Sequence, residues 1–169
     1  QDQPTQNSTN QATSTPSERF ETPPPDVLWG NTAKQQIILT FDSGGGTGDS
    51  TQSILDALGK YGIKATFFVT GEWAKYNEST LKQMASKGHE IFNHTYDHPY
   101  LPQLTEQQII DELKKADDTI SQITGKTTKP YFRAPYDDKS ARVLEIAAKA
   151  GYQSASYTTS GDDWKEGAT

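Results

Sequence analysis

Short apolar runs alternate along the chain with longer segments in which apolar residues recur every three or four positions. QIILTF (36–41), ATFFVT (65–70) and HEIFN (89–93) are short and rich in aromatic and β-branched residues, the pattern of buried strands. Tyr131-Phe132 begins a fourth strand and YQSASYT (152–158) a fifth. The intervening segments read as helices. One runs from about Asp49 to Lys60, capped by Asp49 or Ser50, with Ile54, Leu55 and Leu58 on one face. A second, Ser79–Lys87, carries Leu81, Met84 and Ala85 and ends at Gly88. A third runs from Thr105 to about Ile123. Thr105 and Gln108 form a capping-box pair, and Ile109, Leu113, Ala116, Ile120 and Ile123 recur at helical spacing. The last starts at Ser140, carries Val143, Leu144 and Ala147, and stops at Gly151. Strand–helix alternation of this kind predicts an α/β fold with a mostly parallel sheet.

In such folds chemistry gathers where the strands end. Asp42 follows the first strand, and Gly71, Glu72 and Trp73 follow the second. His94 and His98 follow the third, and Arg133 and Tyr136 the fourth. Asp162, Asp163 and Trp164 follow the fifth. The candidate reactive side chains thus converge on one rim.

His94 and His98 stand four positions apart, so one helical turn would put both rings on one face, within reach of one cation. Two surface histidines are the plainer alternative. They are, however, two of only three histidines in the chain, both in one loop behind a strand, which favours a metal site, with zinc first by ligand type. His89 begins its strand and is expected to be structural, away from the rim. Asp42 is the first carboxylate that could join the pair. Arg133, in FRAPY, could pair with Asp42 and orient it, or form a rim ion pair without a catalytic role. Trp73, Tyr136 and Trp164 could stack on sugar rings or simply pack.

The glycine-rich stretch after Asp42 could instead cradle a phosphate. It lacks the Gly-Lys-Ser/Thr ending of a P-loop, and Asp49 stands where a G-x-G-x-x-G pattern needs its third glycine. No G-x-S-x-G occurs, so a serine nucleophile has no support. The glycines are better read as a sharp turn that leaves the groove open.

Composition narrows the function further. Residues 1–25 are rich in Gln, Asn, Ser, Thr and Pro and are expected to form a disordered linker, with residues 26–169 as the folded domain. The net charge of −6 argues against nucleic acid as a partner. There is no cysteine, hence no disulfide and no thiol chemistry. The sequence shows no transmembrane segment, and a linker of this type points to an extracellular or cell-envelope protein with any anchor upstream of residue 1. A monomer is expected.

LTFDSG around Asp42, His94-Thr-Tyr-Asp-His98, Arg133-Ala-Pro-Tyr136 and Asp163-Trp164 resemble, in order and spacing, four motifs of the polysaccharide deacetylases, carbohydrate esterase family 4. The resemblance runs from about Gln36 to the last residue. It implies a distorted (β/α)7 barrel, C-terminally incomplete here, and metal-dependent removal of N-acetyl groups from peptidoglycan or a chitin-like polymer. It implies Asp42 as general base and His94 and His98 as ligands of a divalent metal, with zinc first. It further implies Arg133 as the residue orienting the base, the Tyr136 backbone N–H as an oxyanion donor, and Asp163 and Trp164 as an acid and a groove wall. Two departures stand out. Ser43 occupies the position of a metal-binding Asp, and a hydroxyl is a poorer ligand, so water or a carboxylate such as Asp49 or Asp97 would have to complete the site. The histidine of the family's fifth motif would lie beyond Thr169, which leaves the fragment short of its general acid and its sheet with an open edge. The alternatives are a catalytically weak wall-binding relative, an O-acetyl (xylan) esterase, and a glycosidase using Asp42 and Asp163, which would leave both histidines unexplained.

Overall fold

The computed structural model describes residues 22–31, 33–44 and 49–162. Most of the expected linker, together with Asp163 and Trp164, lies outside the described residues. Five strands, β1 (Thr40–Ser43), β2 (Thr66–Val69), β3 (Glu90–Asn93), β4 (Tyr131–Phe132) and β5 (Gln153–Ser154), form one parallel sheet in chain order. Helices α1 (Thr51–Tyr61), α2 (Gly71–Tyr76), α3 (Glu78–Ser86), α4 (Glu106–Thr124) and α5 (Ala141–Lys149) connect them. Beyond β5, Val27 adds a single parallel bridge to Ala155.

Period-two alternation sorts the sheet into two faces. Phe41, Phe67, Val69 and Phe132 point toward the helices. There Leu55, Leu58, Leu81, Met84 and Ile120 build one core, and Leu101, Ile109, Leu113, Val143, Ile146 and Tyr152 build a second. Helix α4 serves both cores, which accounts for its long apolar stripe. Truncating a fully buried residue such as Leu113 to Ala would cost ~2–5 kcal/mol. Its predicted cap is present: the Thr105 hydroxyl accepts from the Gln108 N–H, and the Gln108 side chain accepts from the Thr105 N–H. On the opposite face Phe68, Phe92 and Tyr131 pack in a row, with centroids 6.0 Å and 5.1 Å apart.

Two predicted elements change, and one helix is added. The first strand starts at Thr40 rather than at residue 36. Four-residue β2 offers pairing only to residues 40–43, so Ile37, Ile38 and Leu39 stay exposed at the open edge of the sheet. The fifth strand shrinks to Gln153–Ser154, matching two-residue β4. Helix α2 was not predicted, because six residues are too few to show a helical period. Thr70 starts it, its hydroxyl accepting from the Trp73 N–H at 3.2 Å.

Candidate active site

The β1–β2–β3 register sets Asp42, Phe68 and Phe92 side by side on the inner face. His94 and Arg133 follow where β3 and β4 end. Asp42 and Arg133 are three strand steps apart, roughly 14 Å across a flat sheet at ~4.8 Å per step, beyond the combined reach of their side chains. Yet Arg133 Nη1 donates to Asp42 Oδ1 at 2.7 Å. The sheet is therefore curled, and Arg133 spans its hollow. The guanidinium lies 4.1 Å from the Phe68 ring centroid and also donates to Thr40 Oγ1 and to the carbonyls of Ala155 and Ser156. This holds Arg133 buried while the Asp42 side chain keeps 38% of its surface exposed.

His94 is buried, and its Nδ1 lies 2.9 Å from the Arg133 carbonyl. A carbonyl only accepts, so Nδ1 carries the proton and the lone pair of Nε2 faces Asp42 Oδ2 across 3.8 Å. Burial lowers the His94 pKa below its ordinary value, only partly opposed by the Asp42 charge. The His98 pKa is also lowered, by burial and by His94 beside it. The two rings stand 4.9 Å apart, centroid to centroid. The expected helical turn is absent. Thr95 and His98 take φ of 67° and 62°, and these left-handed residues, not a helix, bring the rings together.

Tyr136 is also left-handed, with φ 58°, and its exposed ring packs edge-on against His98 at 4.8 Å and faces Tyr100 at 6.0 Å. Of the five non-glycine residues with positive φ among the described residues, four (Thr95, His98, Tyr136 and Asp137) lie in the two loops that frame this mouth. Strained backbone gathers where geometry serves a site.

Several expected participants are placed elsewhere. Trp73 is buried in the first core, its Nε1 donating to Asp49 Oδ2 at 3.0 Å, so it is no stacking wall. Its place in a short amphipathic helix, rather than in a loop, turns it inward. Asp49 accepts that bond and the Thr51 N–H at 3.0 Å, which commits its carboxylate to the start of α1. Ser43, on the opposite face of β1 from Asp42, lies 3.4 Å from Thr51 Oγ1 and is engaged with α1 rather than with the histidines. Among the described residues no group of three or more His, Asp, Glu or Cys could hold a metal ion. Gly44 turns the chain after Asp42 with φ 107°, at a point where a Cβ would come within 2.1 Å of Thr70 Oγ1.

Asn93 escaped the sequence reading. Fully buried, it donates to the Leu113 carbonyl, Thr128 Oγ1 and Tyr152 OH and accepts from the Thr95 N–H at 2.8 Å. It ties the histidine loop to α4 and to the segments that lead into β4 and β5. An amide side chain at a core-facing strand position was the available signal.

The polysaccharide deacetylase family model matches residues 30–155. The chain belongs to the polysaccharide deacetylase family. It is 40% identical over 136 residues to the peptidoglycan-N-acetylmuramic acid deacetylase PdaA of Bacillus subtilis, covering 80% of this chain and 51% of that one. The PdaA structure, a family 4 carbohydrate esterase, superposes with a TM-score of 0.75 at 38% identity, over 83% of this chain and 60% of that one. A chitooligosaccharide deacetylase of Azorhizobium caulinodans is 31% identical over 78% of this chain and 62% of its own length. A mutant of the family 4 pseudoenzyme BA3943, with restored enzymatic activity, matches at 30% identity and a TM-score of 0.75, over 83% of this chain and 51% of that one. The chain spans about half the length of the first curated relatives it matches. Its α/β fold with a parallel sheet is a part of the family's (β/α)7 barrel. Among the described residues no helix is long and apolar enough to cross a membrane.

Proposed function

We propose that this domain serves a hydrolase that removes N-acetyl groups from a cell-wall polysaccharide, peptidoglycan or a chitin-like chain, outside the cell membrane. The observation that carries this reading is one mouth shared by a solvent-facing Asp42, fixed by Arg133 at 2.7 Å, and two neutral histidines, one with its Nε2 lone pair 3.8 Å from that carboxylate.

Two electron-pair donors facing each other across that gap call for a proton or a cation between them. His94, with its proton fixed on Nδ1, has the tautomer of a metal-binding imidazole, and His98 adds a second ring. This donor set fits a divalent cation, zinc first by ligand type, held by His94 and His98 and completed by water rather than by Ser43. When bound, such a cation would polarise the amide carbonyl and acidify water. Asp42 takes the proton of the attacking water, and Arg133 keeps its carboxylate aimed at that water. The carbonyl carbon gains the water oxygen and loses the sugar nitrogen, which leaves with the proton that Asp42 took from the water, giving acetate and a free amine. The Tyr136 N–H, presented by the left-handed turn, is the proposed oxyanion donor, and the exposed Tyr136 ring a proposed sugar contact. Asp163 and Trp164 remain proposed site residues on the motif resemblance alone.

The test is acetate release from an N-acetylglucosamine oligomer and from peptidoglycan by a longer protein carrying this domain, with and without added zinc. Zinc-dependent acetate supports the proposal; release of reducing ends, or no acetate at all, overturns it. A second reading, a wall-binding relative with little turnover, draws on Ser43 at the position of the family's acidic ligand and on the likeness to a pseudoenzyme. Polysaccharide binding without acetate would favour it. Acetate from acetylated xylan but not from amides would mark an ester substrate instead.

A further inference from the structure

The loop that presents His94 and His98 contains a β-branched residue, Thr95, in the left-handed region, a strained conformation that must be imposed by its surroundings. Two elements impose it. The Gly71 and Glu72 N–H groups, which lack partners in the first turn of α2, donate to the Thr95 and Tyr96 carbonyls at 3.0 Å and 2.8 Å. From the other side Glu112 of α4 reaches the loop amides. Its Oε2 accepts from the Tyr96 N–H at 2.9 Å and from the Asp97 N–H at 3.1 Å. One turn along, Lys115 Nζ stands 3.5 Å from the Tyr96 ring centroid. Gly71 permits this approach, since a Cβ there would lie 2.4 Å from Tyr96 Cδ2. The loop is thus gripped by its carbonyls from α2 and by its amides from α4.

We infer that Glu112 is a positioning residue for the histidine pair: by taking both loop amides on one oxygen, it fixes the turn that aims His94 and His98 at a common point. The inference rests on the reading of these histidines as cation ligands. Glu112 touches neither ring. Its side chain is half-buried, and burial raises its pKa, a rise that the two N–H bonds to one oxygen oppose only in part. A residue needed only for solubility or helix propensity would not be drawn in this way. What matters is the accepting oxygen, which glutamine also carries.

The experiment uses the full chain with Glu112→Ala and Glu112→Gln. Zinc affinity is read by competition with a chromophoric chelator, and the histidine ring signals of the cation-free protein by NMR. Glu112→Ala is expected to weaken zinc binding by ~10-fold or more and to move the His94 and His98 signals while those of His89 stay in place. Glu112→Gln is expected to stay close to wild type in both readouts. Unchanged affinity and ring signals in Glu112→Ala, or an equal loss in Glu112→Gln, overturns the inference. If the alanine variant fails to fold, Glu112→Asp, which withdraws the oxygen by one methylene, takes its place under the same criteria. A wild-type chain that binds no zinc would count against the cation reading of the pair, and the ring signals alone would then decide the role of Glu112.

Discussion

Strand β3 is bracketed by two buried histidines with opposite assignments. At its start, His89 Nδ1 accepts the Ala65 N–H at 3.1 Å, and its ring packs edge-on against Phe67 at 5.4 Å. At its end, His94 Nδ1 donates to the Arg133 carbonyl. The same atom is an acceptor in one and a donor in the other, so the free ring nitrogen differs. His89 is left with a proton on Nε2, and His94 with a lone pair aimed at Asp42. Burial lowers the pKa of both, so neither proton affinity nor burial tells them apart. The backbone group facing Nδ1 decides which histidine keeps an Nε2 lone pair.

Substitutions at the two ends should separate sharply. In a longer protein carrying this domain, Asp42→Asn is expected to lower acetate release by ~10²–10⁴-fold, the usual worth of a positioned general base, and His94→Gln to abolish its response to zinc. His89→Asn, which keeps an acceptor where Nδ1 stood, should leave turnover unchanged. Equal losses at both ends would remove the contrast.

Asn93, between them, should act on stability. Asn93→Ala strands the Thr95 N–H and removes a donor from the Leu113 carbonyl, Thr128 Oγ1 and Tyr152 OH, and is expected to cost about 1–3 kcal/mol by urea denaturation, the usual cost of a buried group left unpaired. His89→Leu should cost about 1–2 kcal/mol through the unpaired Ala65 N–H, and His89→Asn less.

The smallest effect is that of pH. The unfolded histidines titrate near 6.5, and the folded ones below it. Their contribution to stability is complete above about pH 6.5 and is lost as pH falls through the folded values. The denaturation midpoint should therefore drop between neutral pH and about pH 5, and less steeply in His89→Asn. A midpoint flat over that range would show that the histidines do not titrate differently on folding.

The apolar pattern carried much of the fold, because burial fixes period and period fixes element type. Helix α4 was legible down to its capping box. The four-residue spacing of His94 and His98 paired the right residues for the wrong local reason, since the rings meet through left-handed turns that no periodicity reports. Trp73 was misplaced because a six-residue helix leaves too few apolar positions to show its inward face. Glu112 went unnoticed because its partners are backbone amides 15 and 16 positions away, and Asn93 because its donors reach groups 20 to 59 positions away.

The sequence by itself determined which residues stand at the ends of parallel strands, since alternation and helix spacing are local properties of the chain. The tertiary structure alone decided that Arg133 would reach Asp42 across a curled sheet and that His94, rather than His89, would turn a lone pair to the mouth. Both depend on which distant group lies opposite a side chain, and that is set only when the strands assemble into the curled sheet.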